Sequence, residues 1–238
     1  MFWMVQTVYN GYNKTIWLAK ADELAGPWTV HPRPVVELGA KEDFDGYNCD
    51  SPTAYWFEDR QQVLIFYKGS PAMPQPDQPS SPLGSSPAAA VMAPGDEVAT
   101  KLGKIFSPYP VHGYWTSGWL STPQIFKAEE RGWYGILNAS STEPVTVEEE
   151  PAMREPTPSQ GGWLYTPEEW PVSGWKAFDQ PIEWIKDIPE EAQKNGEGCN
   201  MWKHQVLVQP DGTLYLYYNS GNYATERLFG KIAKIEVD

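Results

Sequence analysis

The feature that most constrains this chain is a layout it uses three times: a short strand, a tight polar turn, and a second strand rich in β-branched and aromatic residues. Ser51–Phe57 leads through Glu58-Asp59-Arg60 into Val63–Gly69. Thr122–Phe126 leads through Lys127–Gly132 into Trp133–Asn138, and His204–Val208 leads through Pro210-Asp211-Gly212 into Leu214–Asn219. Asp-Gly between two apolar runs is the signature of a tight hairpin turn. The separation from Pro52 to Phe66 equals that from Pro123 to Leu137, so two copies share a register. Phe2–Val5 with Tyr9-Asn10-Gly11 reads as the second strand of a fourth copy, and the chain reads as starting inside a strand. Outer partners follow the hairpins: Thr15–Ala19 with Gly26–Val30, Gly162–Tyr165 with Ser173–Lys176, and Leu228–Ala233.

Four short strands per repeat predict an all-β protein, a β-propeller of four-stranded antiparallel blades with its first blade incomplete. A β-sandwich is the alternative. Helical periodicity is confined to Asp22–Leu24, Thr166–Trp170 and Pro189–Lys194, each a turn or two long. Ser70–Pro94, with seven prolines and the run Ala88-Ala89-Ala90, reads as a partly polyproline loop. The expectation is therefore one domain over 1–238, with a Pro/Ser/Ala-rich loop at 70–98 and only Leu102–Phe106 visible as a strand just beyond it.

Composition excludes several classes. The formal net charge is -13, against the basic face that a phosphate-gripping nucleic-acid binder needs. No apolar run approaches the length of a membrane helix, so no membrane partner is expected. The sequence opens Met1-Phe2-Trp3-Met4-Val5, without the basic stretch of a signal peptide, so an extracytoplasmic location would require a trimmed N-terminus. Two cysteines cannot make a disulfide scaffold; Cys49 and Cys199 are expected as two free thiols, with a bridge left open. No Walker loop, dinucleotide fingerprint, CxxC or GxSxG motif occurs, and His31, His112 and His204 lack zinc spacing. No cofactor is certain from the sequence, and nothing fixes an oligomeric state. The unusual numbers are Trp 12 and Tyr 13. Flat aromatic faces suit sugar rings, and they also suit a β-rich core.

The run from Thr15 to Trp28, TIWLAKADELAGPW, resembles the outer strands of five-bladed propeller glycosidases. Cys49-Asp50-Ser51-Pro52 with Val63–Gly69 resembles their inner hairpin, Thr122–Asn138 the next blade, and Tyr217–Gly221 with Glu226-Arg227 a late blade. The resemblance is to the superfamily holding glycoside hydrolase families 43, 32, 62, 117 and 130. It implies a carbohydrate ligand and three carboxyl groups at the mouth of a central funnel, one activating water or attacking, one donating a proton and one tuning the others. It makes Asp50 the tuning carboxylate or the base. The family's first-blade base strand has no counterpart, and Ser121 stands where the acid Glu would fall. Glu197, His204 and Glu226 are the substitute acids. Trp115, Trp119 and Trp202 are candidate sugar platforms, with Asn48, Lys203 and Arg227 as polar contacts. A structural calcium is also allowed by the resemblance, without a legible ligand set. The leading expectation is a glycoside hydrolase. The alternatives are a catalytically silent carbohydrate-binding propeller, and a family 130-like phosphorylase holding phosphate with Lys68, Lys203, His204 and Arg227.

Overall fold

The computed structural model describes residues 1–71, 85–107, 116, 118–128, 132–140, 160–182, 201–209, 211, 213–220 and 227–234. These residues form strands and connections with no helix among them. Asp22–Leu24 is a bend and turn, and Thr166–Trp170 is the end of a strand followed by a bend at Glu169-Trp170. One turn of periodicity does not overcome the cost of nucleating a helix. Pro189–Lys194 lies outside the described residues.

The chain divides into two compact units, Met1–Ser107 with Leu120–Thr122, and Pro108–Trp119 with Pro123–Asp238. In the first, β1 (Phe2–Tyr9) and β2 (Lys14–Ala21) pair antiparallel from Phe2 opposite Ala21 to Tyr9 opposite Lys14. Asn10 shapes their connection, its Oδ1 accepting the N–H groups of Tyr12 and Asn13. β3 (Thr29–Val30) lies on the other edge of β2, the outer pairing the sequence leads one to expect. A single parallel pair, Lys14 opposite Asn48, joins β2 to β4 (Asn48–Phe57), and the Asn48 Oδ1 accepts the Lys14 N–H at 2.8 Å. From there β4, β5 (Gln62–Ser70), β6 (Ser86–Met92) and β7 (Thr100–Lys104) run up and down in sequence order.

β6 corrects the reading of 70–98 as loop. β5 lies between β4 and β6, and seven of its nine residues are buried. Such a strand needs hydrogen-bonding partners on both edges. The run Ala88-Ala89-Ala90 supplies one of them, fully buried opposite Tyr67, Phe66 and Ile65. Alanine ranks low for strands on open surfaces, but here its small side chain fits beside large neighbours. Pro87 falls near the strand's start, where a missing N–H costs least.

Alternation then sorts the side chains. Ile16, Leu18, Val63, Ile65, Tyr67, Ala88, Ala90 and Met92 enter one core with Cys49, Val35 and Val36. Each large apolar side chain so buried contributes roughly 1.5–3 kcal/mol of transfer free energy.

In the second unit, β8 (Gln124–Lys127), β9 (Trp133–Ala139), β10 (Gln160–Thr166) and β11 (Lys176–Ala177) form one antiparallel sheet in sequence order. β12 (Met201–Val208), β13 (Thr213–Ser220) and β14 (Arg227–Lys234) form another. Across β8, β9 and β10, Phe126 stacks on Tyr134 with centroids 5.9 Å apart, and Tyr165 tilts against Tyr134 at 5.1 Å. These aromatic rings serve the sheet by cross-strand packing.

Candidate functional site

Asp50 is the third residue of β4, directly opposite Lys68 on β5. Cys49 before it points into the core. After Asp50 the register with β5 slips before resuming at Thr53, and Ser51 sits in the left-handed region at φ 53°. A non-glycine residue held there, at an irregularity in a strand, marks local strain that re-aims a neighbouring side chain. Thr7 on β1 fastens the irregularity. Its hydroxyl donates to Asp50 Oδ1 at 3.1 Å and accepts the Ser51 N–H at 3.0 Å. The Ser51 N–H also reaches Asp50 Oδ1 at 2.7 Å.

Two lysines face the other carboxylate oxygen. Lys14 Nζ donates to Asp50 Oδ2 at 2.7 Å, and Lys68 Nζ stands 3.6 Å from the same atom. Burial pushes the Asp50 carboxyl up, but the charge of Lys68 and the Lys14 ion pair outweigh it and hold it below the ordinary carboxylate value. Lys68 moves down as well. Its desolvation and the repulsion from Lys14 exceed the attraction of Asp50. The result is a carboxylate kept ionised, able to act as a base or to stabilise positive charge and unfit to donate a proton near neutral pH.

Behind this face lies a carboxylate that sequence reasoning missed. Asp45 is 2 % exposed, and its Oδ2 accepts from Tyr67 Oη at 2.8 Å and from Lys101 Nζ at 2.7 Å. The loop holding it is tight: a Cβ at Gly39 would stand 2.3 Å from Asp45 Oδ1. Asp45 faces the core beside the Cys49 thiol, which burial pushes up to about 12. Cys49 is free, and it stays protonated and unreactive. The only sequence sign of Asp45 is an acidic run closed by Gly46, which reads equally as a turn.

His204, in the second unit, is 6 % exposed. Its ring stacks on Tyr218, and Nδ1 lies 3.1 Å from Asn138 Oδ1. An amide oxygen only accepts, so Nδ1 carries the proton and Nε2 a lone pair. The ring fills the space above Gly161, opposite Asn138 on β10, where a Cβ would come within 2.2 Å of Nε2. Burial alone pulls the imidazole down to about 3. That burial favours the neutral ring near pH 7. Its NMR ring shifts should stay constant from pH 8 to pH 5. Because the native pKa is depressed, its contribution to stability is full above the unfolded value near 6.5 and is lost as pH falls towards 3. Gly161→Ala should destabilise the unit by about 1–3 kcal/mol, seen in chemical unfolding, because the ring has no room to move.

The remaining expected residues divide plainly. Asn48 adjoins Asp50, with its Oδ1 committed to the Lys14 N–H. Trp119 is half-buried, its backbone N–H donating to the Ser140 hydroxyl at 3.3 Å. Trp202 and Lys203 lie in β12 and Arg227 opens β14, and their side chains are not among those described. A slip in register between Trp202 and Gln205 interrupts the alternation that would align Trp202 with His204. Trp115, Glu197, Glu226 and Cys199 lie outside the described residues. No group of three metal-ligating side chains converges among the described residues. Calcium asks for six to eight oxygens, and the ammonium groups beside Asp50 would repel it, so the described residues around Asp50 do not fit that ion.

No family model matches the sequence, and no curated protein matches it. Solved structures do. An endo-arabinase from Bacteroides thetaiotaomicron superposes with a TM-score of 0.59 at 12 % identity, covering 99 % of this chain and 71 % of the other. A glycosyl hydrolase from Bacteroides ovatus gives 0.62 at 14 %, covering 98 % and 61 %. A family 117 glycoside hydrolase from Zobellia galactanivorans gives 0.62 at 12 %, covering 93 % and 52 %. The chain thus spans roughly half to seven-tenths of their lengths. At these identities the likeness is one of fold: the chain shares the all-β fold of these glycoside hydrolases.

Proposed function

We propose that this chain is a glycoside hydrolase-like propeller acting on an oligo- or polysaccharide, with Asp50 as the carboxylate that stays ionised through the reaction. The observation that carries the reading is the Asp50 arrangement: a mostly buried carboxylate, on a strained strand irregularity, held anionic by Lys14, Lys68 and the Ser51 N–H. Glycoside hydrolysis needs such a group opposite a proton donor. Glu226 and Glu197 remain the proposed donors. The names of the proteins sharing the fold, an endo-arabinase among them, support a carbohydrate substrate. Four-stranded meanders at β4–β7 and β8–β11 support the blade reading.

A silent carbohydrate-binding role is the second reading. It is favoured by Ser121 at the place where the resemblance expects an acid, and by the charged groups around Asp50, which among the described residues are both lysines. Turnover of a glycoside panel by the full chain and by Asp50→Asn separates the two. Binding without cleavage in the unaltered chain would leave only the second.

A further inference from the structure

The turn between β1 and β2 carries a reactive pair of residues into the open. Asn10 is followed by Gly11, and both are exposed. Gly11 holds φ at 97°, a region natural to glycine, and a Cβ there would meet nothing. No side chain therefore shields the peptide nitrogen that follows Asn10. Asn10 Oδ1 accepts the N–H groups of Tyr12 at 2.9 Å and Asn13 at 2.8 Å. The Gly11 N–H and Asn10 Nδ2 donate to no group among the described residues. Two donors aimed at an amide oxygen stabilise the negative charge that develops on it when a nucleophile adds to its carbon. The Asn10 amide is thus an activated electrophile with an untethered leaving group, next to an uncommitted nitrogen.

We propose that Asn10-Gly11 is a site of spontaneous backbone modification, converting to isoaspartate and thereby loosening Lys14 from Asp50. The Gly11 nitrogen adds to Asn10 Cγ as water removes its proton. The N–Cγ bond forms, the Cγ–Nδ2 bond breaks, and Nδ2 leaves with a proton as ammonia. The cyclic imide then takes up one water. Opening at Cγ gives aspartate. Opening at the main-chain carbonyl carbon gives isoaspartate, in which the chain runs through the side chain and gains one methylene. Water is the only co-reactant.

Place in the fold sets the consequence. The Asn10 N–H donates to the Asn13 carbonyl at 3.1 Å, and Asn13 Nδ2 donates to the Tyr47 carbonyl at 2.9 Å. The next residue, Lys14, makes the parallel pair that ties β2 to β4, and its Nζ reaches Asp50 Oδ2 at 2.7 Å. An extra methylene in the turn shifts Tyr9 against Lys14 and draws that ammonium away from Asp50.

The experiment is peptide mapping by mass spectrometry of the full chain aged in mildly alkaline buffer, beside a synthetic peptide running from Val8 to Lys14. The map separates Asn10-Gly11 from Asn195-Gly196, the other such pair in the sequence. The Asn10 peptide should gain the mass of an amide replaced by a carboxyl and become a substrate for protein isoaspartyl methyltransferase. Its rate should lie within about tenfold of that of the free peptide. The aged chain should melt a few degrees lower than the fresh one, and the Asp50 carboxyl should titrate at higher pH by NMR, because Lys14 no longer holds it down. Asn10→Ser keeps an acceptor for the two N–H groups and has no amide to lose, so it should age unchanged on every readout. Asn10→Asp adds the charge on a normal main chain and should melt like the fresh protein. A slower rate overturns the proposal, because the turn then protects the amide. Conversion that leaves the Asp50 titration where it was overturns the link to Lys14, as does an Asn10→Asp variant that melts as low as the aged chain.

Discussion

Asp50→Asn should lower kcat/KM on any glycoside the chain cleaves by about 10³-fold, the scale on which a positioned base or acid contributes. The substitution keeps the shape of the side chain and removes the charge. Circular dichroism should be unchanged, with some loss of melting temperature because Lys14 and Lys68 then repel each other without an intervening anion. The pH profile supplies a second readout. The native carboxyl lies below its ordinary value, held there by Lys68 and Lys14 against its burial, so the acid limb of kcat/KM should lie at lower pH than an ordinary carboxylate would set. Lys68→Met removes one of the charges that hold it down and should move that limb to higher pH. The stability that Asp50 contributes follows the same sign: present above the unfolded pKa, and lost as pH drops through the native one. Wild-type turnover in Asp50→Asn would remove this residue from the machinery.

The largest effect on stability is expected at Asp45. Asp45→Ala leaves the Lys101 ammonium and the Tyr67 hydroxyl facing an empty space, and breaking a buried pair from one side costs about 3–5 kcal/mol. A fall in melting temperature on the order of 10 °C or more follows for a unit of this size. Asp45→Asn combined with Lys101→Met should recover part of the loss, because the charge is removed from both sides while a polar group remains for Tyr67. A change below about 1 kcal/mol in the single variant would mean that the pair does not hold the loop.

The sequence was informative where period-two patterning met a clear turn. β4 with β5, β8 with β9, and β12 with β13 all fall where strand–turn–strand runs predict them, and the outer pairings β2–β3 and β10–β11 follow their Gly-Pro-Trp and Ser-Gly-Trp phrases. β6 was hidden because Pro87 and three alanines carry no strand signal of their own, and only the demand of β5 for a second partner makes them one. Asp50 was legible from its place before Ser51-Pro52. Its surroundings were not. Lys14 reads as part of an outer strand, and only the parallel pairing with Asn48 carries its side chain to Asp50. Thr7 lies in the half-copy at the start of the chain and bears no mark of its role. His204 was legible as a position, whereas its burial over Gly161 depends on a glycine distant in sequence.

The described residues that hold Asp50 lie between Thr7 and Lys68, and this has a consequence for the timing of assembly. Folding during synthesis proceeds from the N-terminus, at roughly 5–20 residues per second. The groups that charge Asp50 therefore leave the ribosome well before the strands from β8 onward, a lead on the order of ten seconds at the slow end of that range. Lys14, Asp50 and Lys68 are then available to one another while the second unit is still being made. Among the described residues, the groups that keep Asp50 ionised therefore come from early, nearby segments of the nascent chain.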